Sequence, residues 1–238
     1  MCTVTYLPHK EGGYLLTSNR DEAPGRNAKS LHERQLGQAR LIYPQDEGAG
    51  GTWVALSGAG VTVCILNGAR EKHAHRPPYR RSRGLMALDY FAFSGPSAFA
   101  KAYTFEGMEP FTMVIAQRYA LQVLRWDGQC TDLERLDTGQ PHLWSSSTLY
   151  SPSVQQKREG WFRRWLAGAG APRREDALHW HRTAGDGDPE NDVVMNRGNQ
   201  VRTVSITSVA VGQSSGDLAY FDLLGGLEKS VSIDFDHP

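Results

Sequence analysis

The sequence is short of cysteine, of long apolar runs and of net charge. Three cysteines among 238 residues, an odd number, cannot build a disulfide framework, so a reducing compartment is expected. No apolar run approaches the roughly 18 residues needed to cross a bilayer, which excludes an integral membrane helix. The N-terminal stretch MCTVTYLPHKEGG lacks a basic start followed by a long apolar segment, so no secretory leader is read there and a cytoplasmic location is expected. The 26 Lys+Arg balance 26 Asp+Glu, which argues against a general nucleic-acid binder. No G-x-G-x-x-G opens a helix and no Walker A motif is present, so nucleotide binding has no support.

What is present suffices for a core: 39% of residues are hydrophobic and 22% charged, the balance of a globular protein. With no internal repeat and no long linker, residues 1–238 are expected to form one domain. Strands are predicted over Thr3–Leu7, Tyr14–Ser18, Thr52–Leu56, Val61–Leu66, Phe111–Ala116, Leu121–Trp126, Leu133–Leu136, Val204–Val209, Leu218–Leu223 and Ser230–Phe235. Helices are predicted over Ser82–Phe93, Ser97–Tyr103, Ser153–Leu166 and Glu175–Arg182, with Ser153 capping the third. Strand pairs grouped before and after helices indicate an α+β fold on largely antiparallel sheet.

Charge is segregated along the chain. Residues 70–83, REKHAHRPPYRRSR, hold six Lys/Arg against one Glu, and residues 186–192, DGDPEND, hold four acids and no base. Either run reads as a solvated loop. The alternating acids fail the EF-hand pattern for want of glycine at position six and a carboxylate at position twelve. His73 with His75, and His179 with His181, form two H-x-H pairs. Neither has an accompanying Cys or carboxylate set in sequence, so no metal site is expected. Cys64 lies in an apolar strand and reads as a buried thiol, and Cys130 follows a turn. Trp161 and Trp165 read as core.

Cys2 differs from the other two. Loss of Met1 would leave a thiol and an α-amine on one residue. With an ordinary α-amino pKa of about 7.7–8.0, that amine can accept the thiol proton near neutral pH. A hairpin returning from the first strand would bring Arg20 and Asp21 beside it. There the Asp could orient the amine and the Arg could lower the thiol pKa. A charge cluster at a strand end with no role is the alternative.

Asn19-Arg20-Asp21-Glu22 resembles the NRDE signature of the family of transport and Golgi organisation protein 2. The resemblance continues in Gly50-Gly51-Thr52-Trp53, Ser57, Gly60 and Asn67, with Leu66 replacing a usual threonine. It extends to Ser82-Arg83-Gly84, to Phe111–Ala116 as a central strand, and to Arg202-Thr203. It implies an N-terminal nucleophile hydrolase-like fold, a four-layer αββα sandwich of two mainly antiparallel sheets. By likeness to the related acylases of bile salts and penicillin V, it implies Cys2 as nucleophile and base and Asp21 as partner of the amine. Asn67 or its backbone would be an oxyanion donor and Arg202 the late arginine. Asn19, Arg20, Trp53, Arg83 and Ser146 are expected to bind or orient substrate.

One departure stands out: Trp144-Ser145-Ser146 falls where the family pattern has L-S-N. An asparagine amide donates two hydrogen bonds, whereas a serine hydroxyl donates one and reaches less far. Loss of an oxyanion donor costs ~10²–10³ in rate, so Ser146 sets acylase-like turnover in question. The expected substrate is a small acylated amide, with no cofactor required. The rival is a binding or transfer protein for haem or an acyl lipid, an apolar anion drawn to the basic segment beside apolar Leu85–Phe93.

Overall fold

The computed structural model describes residues 3–9 and 12–235. In chain order the strands before the first helix are β1 (Thr3–His9), β2 (Gly13–Glu22), β3 (Leu31–Leu36), β4 (Ala39–Pro44), β5 (Val54–Ser57) and β6 (Thr62–Asn67). Helices α1 (Arg83–Asp89) and α2 (Pro96–Ala102) precede β7 (Phe111–Gln117), β8 (Ala120–Trp126), β9 (Thr131–Leu136) and β10 (His142–Ser145). Then come α3 (Pro152–Ala169), α4 (Arg174–Thr183), β11 (Asn196–Arg197), β12 (Val201–Val211), β13 (Ser215–Asp222) and β14 (Glu228–Asp234).

The strands form two antiparallel sheets. One runs in the order β10-β1-β2-β12-β13-β14, with β11 paired to β12; the other is a continuous meander from β3 to β9. Side-chain alternation sorts the residues into layers. Val4, Tyr6, Tyr14 and Leu16 from the first sheet meet Val54, Leu56, Cys64 and Val114 from the second. Met86 and Phe99 of α1 and α2 pack on Ile65, Phe111 and Met113 on the outer side of the meander. Trp161, Phe162, Ala177 and Trp180 of α3 and α4 pack on Leu7 and Leu15 on the outer side of the other sheet. The order is helix, sheet, sheet, helix, as the family resemblance implied.

The Tyr14 hydroxyl ties the sheets together, donating within reach of Thr62 Oγ1 (2.8 Å) and the Ala116 carbonyl (2.9 Å). Each such buried bond contributes about 1 kcal/mol, and an unmet hydroxyl there costs more.

Several elements depart from the sequence expectation. The hairpin β3–β4 and the short strand β10 were not foreseen. Glu33, Arg34 and Gln35 of β3 are exposed, so this edge lacks the apolar alternation that marks a strand. The stretch 82–93 is broken: α1 ends at Asp89 and a 3-10 turn follows over Tyr90–Ala92. The cap of α3 is Ser151, not Ser153, with Pro152 at the first helical position. Proline is well placed there, because its missing N–H has no intrahelical partner to lose. None of the described helices is long and apolar enough to cross a membrane.

Candidate functional site

At one end of the sandwich the sheets part around a cavity of about 330 Å³, lined by Arg20, Glu22, Asp46, Trp53, Asn67, Arg83 and others. The alternation of β2 decides which NRDE residues reach it. Arg20 and Glu22 face the gap, while Asn19 and Asp21 face the helical side.

Arg20, only 2% exposed, lies with its guanidinium 4.0 Å from the Trp53 ring centroid and donates to Asp46 Oδ2 at 2.6 Å. It also donates to the Arg26 carbonyl. Burial draws its pKa down, and the Asp46 carboxylate opposes the shift. Asp46 also takes Arg26 at 2.5 Å, and Arg26 reaches Glu22 at 3.0 Å. The Trp53 indole N–H donates to Thr207 across the sheets at 3.2 Å. A rigid, charge-paired wall results.

The opposite wall comes from the 79–84 segment. Arg83 donates to Glu109 at 2.8 Å and to the Pro110 carbonyl at 3.2 Å. Glu109 also contacts His73 and His75, each at 3.2 Å. Burial raises the Glu109 pKa, but Arg83 and the two imidazoles outweigh it and leave the carboxyl below its ordinary range. The fold thus supplies the carboxylate that the sequence did not place beside this H-x-H pair. Among the described residues, however, no group of three His, Cys, Asp or Glu is arranged to hold a metal.

Part of this wall is bare backbone. A Cβ on Gly51 would lie 2.4 Å from the Gly84 carbonyl carbon, and one on Gly84 would lie 2.9 Å from the Thr52 carbonyl oxygen. The Thr52 N–H donates to the Gly84 carbonyl at 3.1 Å. Only glycine permits so close an approach of two main chains.

Asn67, at the end of β6, lines the cavity. Its carbonyl accepts the Ser146 hydroxyl at 2.8 Å, and Ser146 Oγ also lies 3.0 Å from Thr148 Oγ1. Ser146 therefore clasps the two sheets at the cavity's edge. Next to it, Gly68 has φ +79°, and a Cβ there would lie 2.2 Å from Ser147 Oγ.

On the helical side, Asp21 accepts the Tyr150 hydroxyl at 2.6 Å and the Thr203 hydroxyl at 2.5 Å. A bulge in β12 between Thr203 and Ser205 turns Thr203 toward it, a usual task of bulges. Asn19 donates to the carbonyls of His181 (3.0 Å) and Val193 (2.9 Å) and pairs with His181 Nδ1, so it stands apart from the cavity. Arg202 pairs with Glu22 in register, and its Nη1 reaches Asn199 at 3.4 Å; it does not line the cavity. Cys2 lies outside the described residues.

Four of the six cations in the basic segment are engaged within the fold, and Lys72 and Arg76 are exposed. Arg70 pairs with Asp132, Arg81 with Asp89 and Arg83 with Glu109, while Arg80 donates to the carbonyls of Thr104 and Glu106. Within 85–93, Met86, Ala87 and Tyr90 are buried against the meander sheet, while Leu85, Leu88, Phe91 and Ala92 line a separate cavity of about 630 Å³. Cys64 is buried as expected, its thiol pushed up to about 12 by burial despite a hydrogen bond with Ser18.

The chain matches the family described as Transport and Golgi organisation 2 over residues 1–177. It belongs to that family. No curated protein matches the sequence. Among solved structures, this family member is similar to conjugated bile acid hydrolase from Clostridium perfringens. An arginine-to-leucine variant of that hydrolase superposes with TM-score 0.64 at 10% identity, covering 100% of this chain and 97% of that one. A cysteine-to-alanine variant gives 0.61 at 10% identity, with the same coverage. A Caenorhabditis elegans orthologue of N-acylethanolamine-hydrolyzing acid amidase gives 0.58 at 12% identity, covering 87% and 92%. At such identities the likeness establishes the fold, which is that of the N-terminal nucleophile hydrolases.

Sequence reasoning did not single out Tyr150, Asp46, Glu109 or Arg158, and it named Thr203 only beside Arg202 and His181 only in an H-x-H pair. For the burial of Arg158 and His181 a signal existed. Arg158 lies three and four residues before Trp161 and Phe162, and His181 four after Ala177, so both share a helix face with core residues.

Proposed function

We propose that this protein hydrolyses a C–N amide bond in a small polar substrate, with Cys2 as nucleophile once Met1 has been removed. The reading rests above all on the register at the start of β1. Thr3 stands opposite Asn19 of β2 on one side and Ser145 of β10 on the other. Cys2 precedes Thr3 directly in sequence, and Arg20 and Ser146 follow Asn19 and Ser145, the residues that Thr3 faces. In sequence, Cys2 has the same parity as Val4 and Tyr6, whose side chains lie between the sheets.

In this scheme the α-amine takes the thiol proton, and sulfur attacks the amide carbonyl carbon to give a tetrahedral oxyanion. The C–N bond then breaks, the leaving nitrogen takes the proton from the ammonium, and a thioester remains. Water, deprotonated by the same amine, attacks the thioester, and the acid departs as the thiol is restored. Asn67 supplies a hydrogen bond to the oxyanion. Ser146, whose hydroxyl proton is committed to the Asn67 carbonyl, fixes that residue instead of donating to substrate. Walls carrying Arg20, Arg26, Arg83, Glu22, Asp46 and Glu109 support a charged or strongly polar substrate over an apolar anion such as haem.

Intact mass spectrometry with an electrophilic thiol probe tests the proposal. In a Cys130→Ser background, used because Cys130 is exposed, the expected result is loss of Met1 and one equivalent of label, abolished by Cys2→Ala. Retention of Met1 in protein that turns over amides overturns it, as does full activity of C2A.

A further inference from the structure

On the helical side of the first sheet lies a buried cation that the scheme above does not use. Arg158 of α3 is wholly buried. Its guanidinium donates to the hydroxyl of Thr3, the residue bonded to Cys2. It also donates to the carbonyls of Asn191 (3.0 Å) and Asp192 (2.6 Å). Among the described residues no carboxylate pairs with it. The guanidinium carbon instead lies 3.6 Å from the centroid of the Tyr150 ring. The Tyr150 hydroxyl donates to Asp21 Oδ2 at 2.6 Å, and Thr203 donates to Asp21 Oδ1 at 2.5 Å. Thr203 Oγ1 is itself an acceptor for the Met195 N–H at 2.9 Å, which directs its proton toward Asp21.

We propose that Arg158, Tyr150 and Thr203 are positioning residues that set the charge balance at the start of β1, so that Cys2 reacts at a lower pH than an ordinary cysteine. The inference rests on Cys2 being the nucleophile. A carboxylate that receives two hydroxyl donors is fixed in orientation and spreads its charge into them, which weakens its hold on a neighbouring ammonium. A cation over a phenol ring draws electron density from it and makes the O–H a stronger donor. The positive field of Arg158, acting next to Thr3, favours neutral amine over ammonium and thiolate over thiol. All three act in one direction.

Among the other charged or titratable groups on the surrounding elements are Arg20, Asp21 and Glu22 of β2, Asp46 of the β4–β5 loop, Cys64 of β6, His181 of α4 and Arg202 of β12, with His142 of β10 opposite Tyr6 farther along β1. Arg20 is paired with Asp46. His181 is pushed down to about 3 by burial, with Arg158 adding to the shift, and Cys64 is held at about 12. Neither titrates between about pH 5 and 9, so a moved midpoint in that window reports on the start of β1.

The experiment is the rate of iodoacetamide labelling of Cys2 against pH, read by mass in a Cys130→Ser background because Cys130 is exposed. The expected midpoint of the unmodified network lies below the ordinary thiol value of about 8.5. Tyr150→Phe and Thr203→Val should each raise it by about half a unit, a ~3-fold loss of rate near pH 6 with convergence above about pH 9. Arg158→Gln should raise it by about one unit, ~10-fold, and Thr203→Ser should restore the original profile. A merely structural role would change the rate equally at all pH values. If the midpoint of folded Y150F and T203V does not move while the parent stays depressed, the positioning role is wrong and the hydrolase stands. A parent with an ordinary thiol profile overturns both.

Discussion

The two helical layers occupy equivalent places in the sandwich yet are built on opposite chemistry. Beneath α1 and α2 the contacts are aromatic and aliphatic: Phe99 meets Tyr90, Phe93 and Phe105 edge-on at 5.1–5.4 Å between centroids. Beneath α3 and α4 the apolar cluster around Trp180 gives way, toward the start of β1, to a buried polar network. There His181 Nε2 lies 2.7 Å from Thr5 Oγ1, its Nδ1 meets Asn19, and Arg158 holds Thr3. A layer needed only for stability can be apolar, which spares it the desolvation of charge. The polar layer costs more to bury, and it adjoins Thr3, the residue that follows the proposed nucleophile in sequence.

The contrast can be broken from either side. Phe99→Ala should have the largest effect on stability, about 3–5 kcal/mol in urea unfolding, because it empties a fully buried aromatic site. It should leave the pH midpoint of Cys2 labelling where it was.

His181 gives the polar layer a pH dependence that the apolar layer lacks. Its folded pKa of about 3 lies below the ordinary imidazole value of about 6.5, so the unfolded chain binds the extra proton first. The contribution is complete above about pH 6.5 and is lost as pH falls toward 3, with a slope approaching 1.4 kcal/mol per unit. Urea midpoints at pH 7 and pH 5 should differ in this sense, and His181→Gln should flatten the difference.

The caps sharpen the comparison at smaller scale. Ser151 caps α3 and Ser82 caps α1 through side-chain bonds, so either change to alanine should cost about 1 kcal/mol. Of the two, only S151A loosens the helix carrying Arg158, and it alone should slow Cys2 labelling near pH 6. The smallest effect is expected for Asp132→Asn, which removes the exposed Arg70 pair and should shift unfolding by less than about 0.5 kcal/mol.

Legibility in sequence follows the same divide. Alternating apolar residues marked β1, β2, β6, β7 and β8, and the helices around Phe99 and Trp161 carried apolar faces. Asp21 was reached through the hairpin return and Asn67 and Trp53 through motif resemblance, while spacing alone does not show that residues 21, 150 and 203 converge. Arg158 escaped notice, and His181 was weighed only as a metal ligand, since charged and titratable residues ordinarily read as surface. The side on which each NRDE residue falls was latent in the period-two alternation of β2, which sends Arg20 and Asp21 to opposite faces. Its meaning required knowing what each face meets. The edge strands β3 and β10 lacked the apolar pattern because they bury little.

The contact between Gly51 and Gly84 bears on how such a cavity could change over generations. Where main chain forms the wall, there is no side chain to trim or enlarge, and any substitution displaces the start of α1. Variation in what the cavity admits is thereby channelled to residues such as Tyr79 and Arg26 on its lining. This part of the site can inherit a new specificity from its rim, while the two glycines hold its breadth constant.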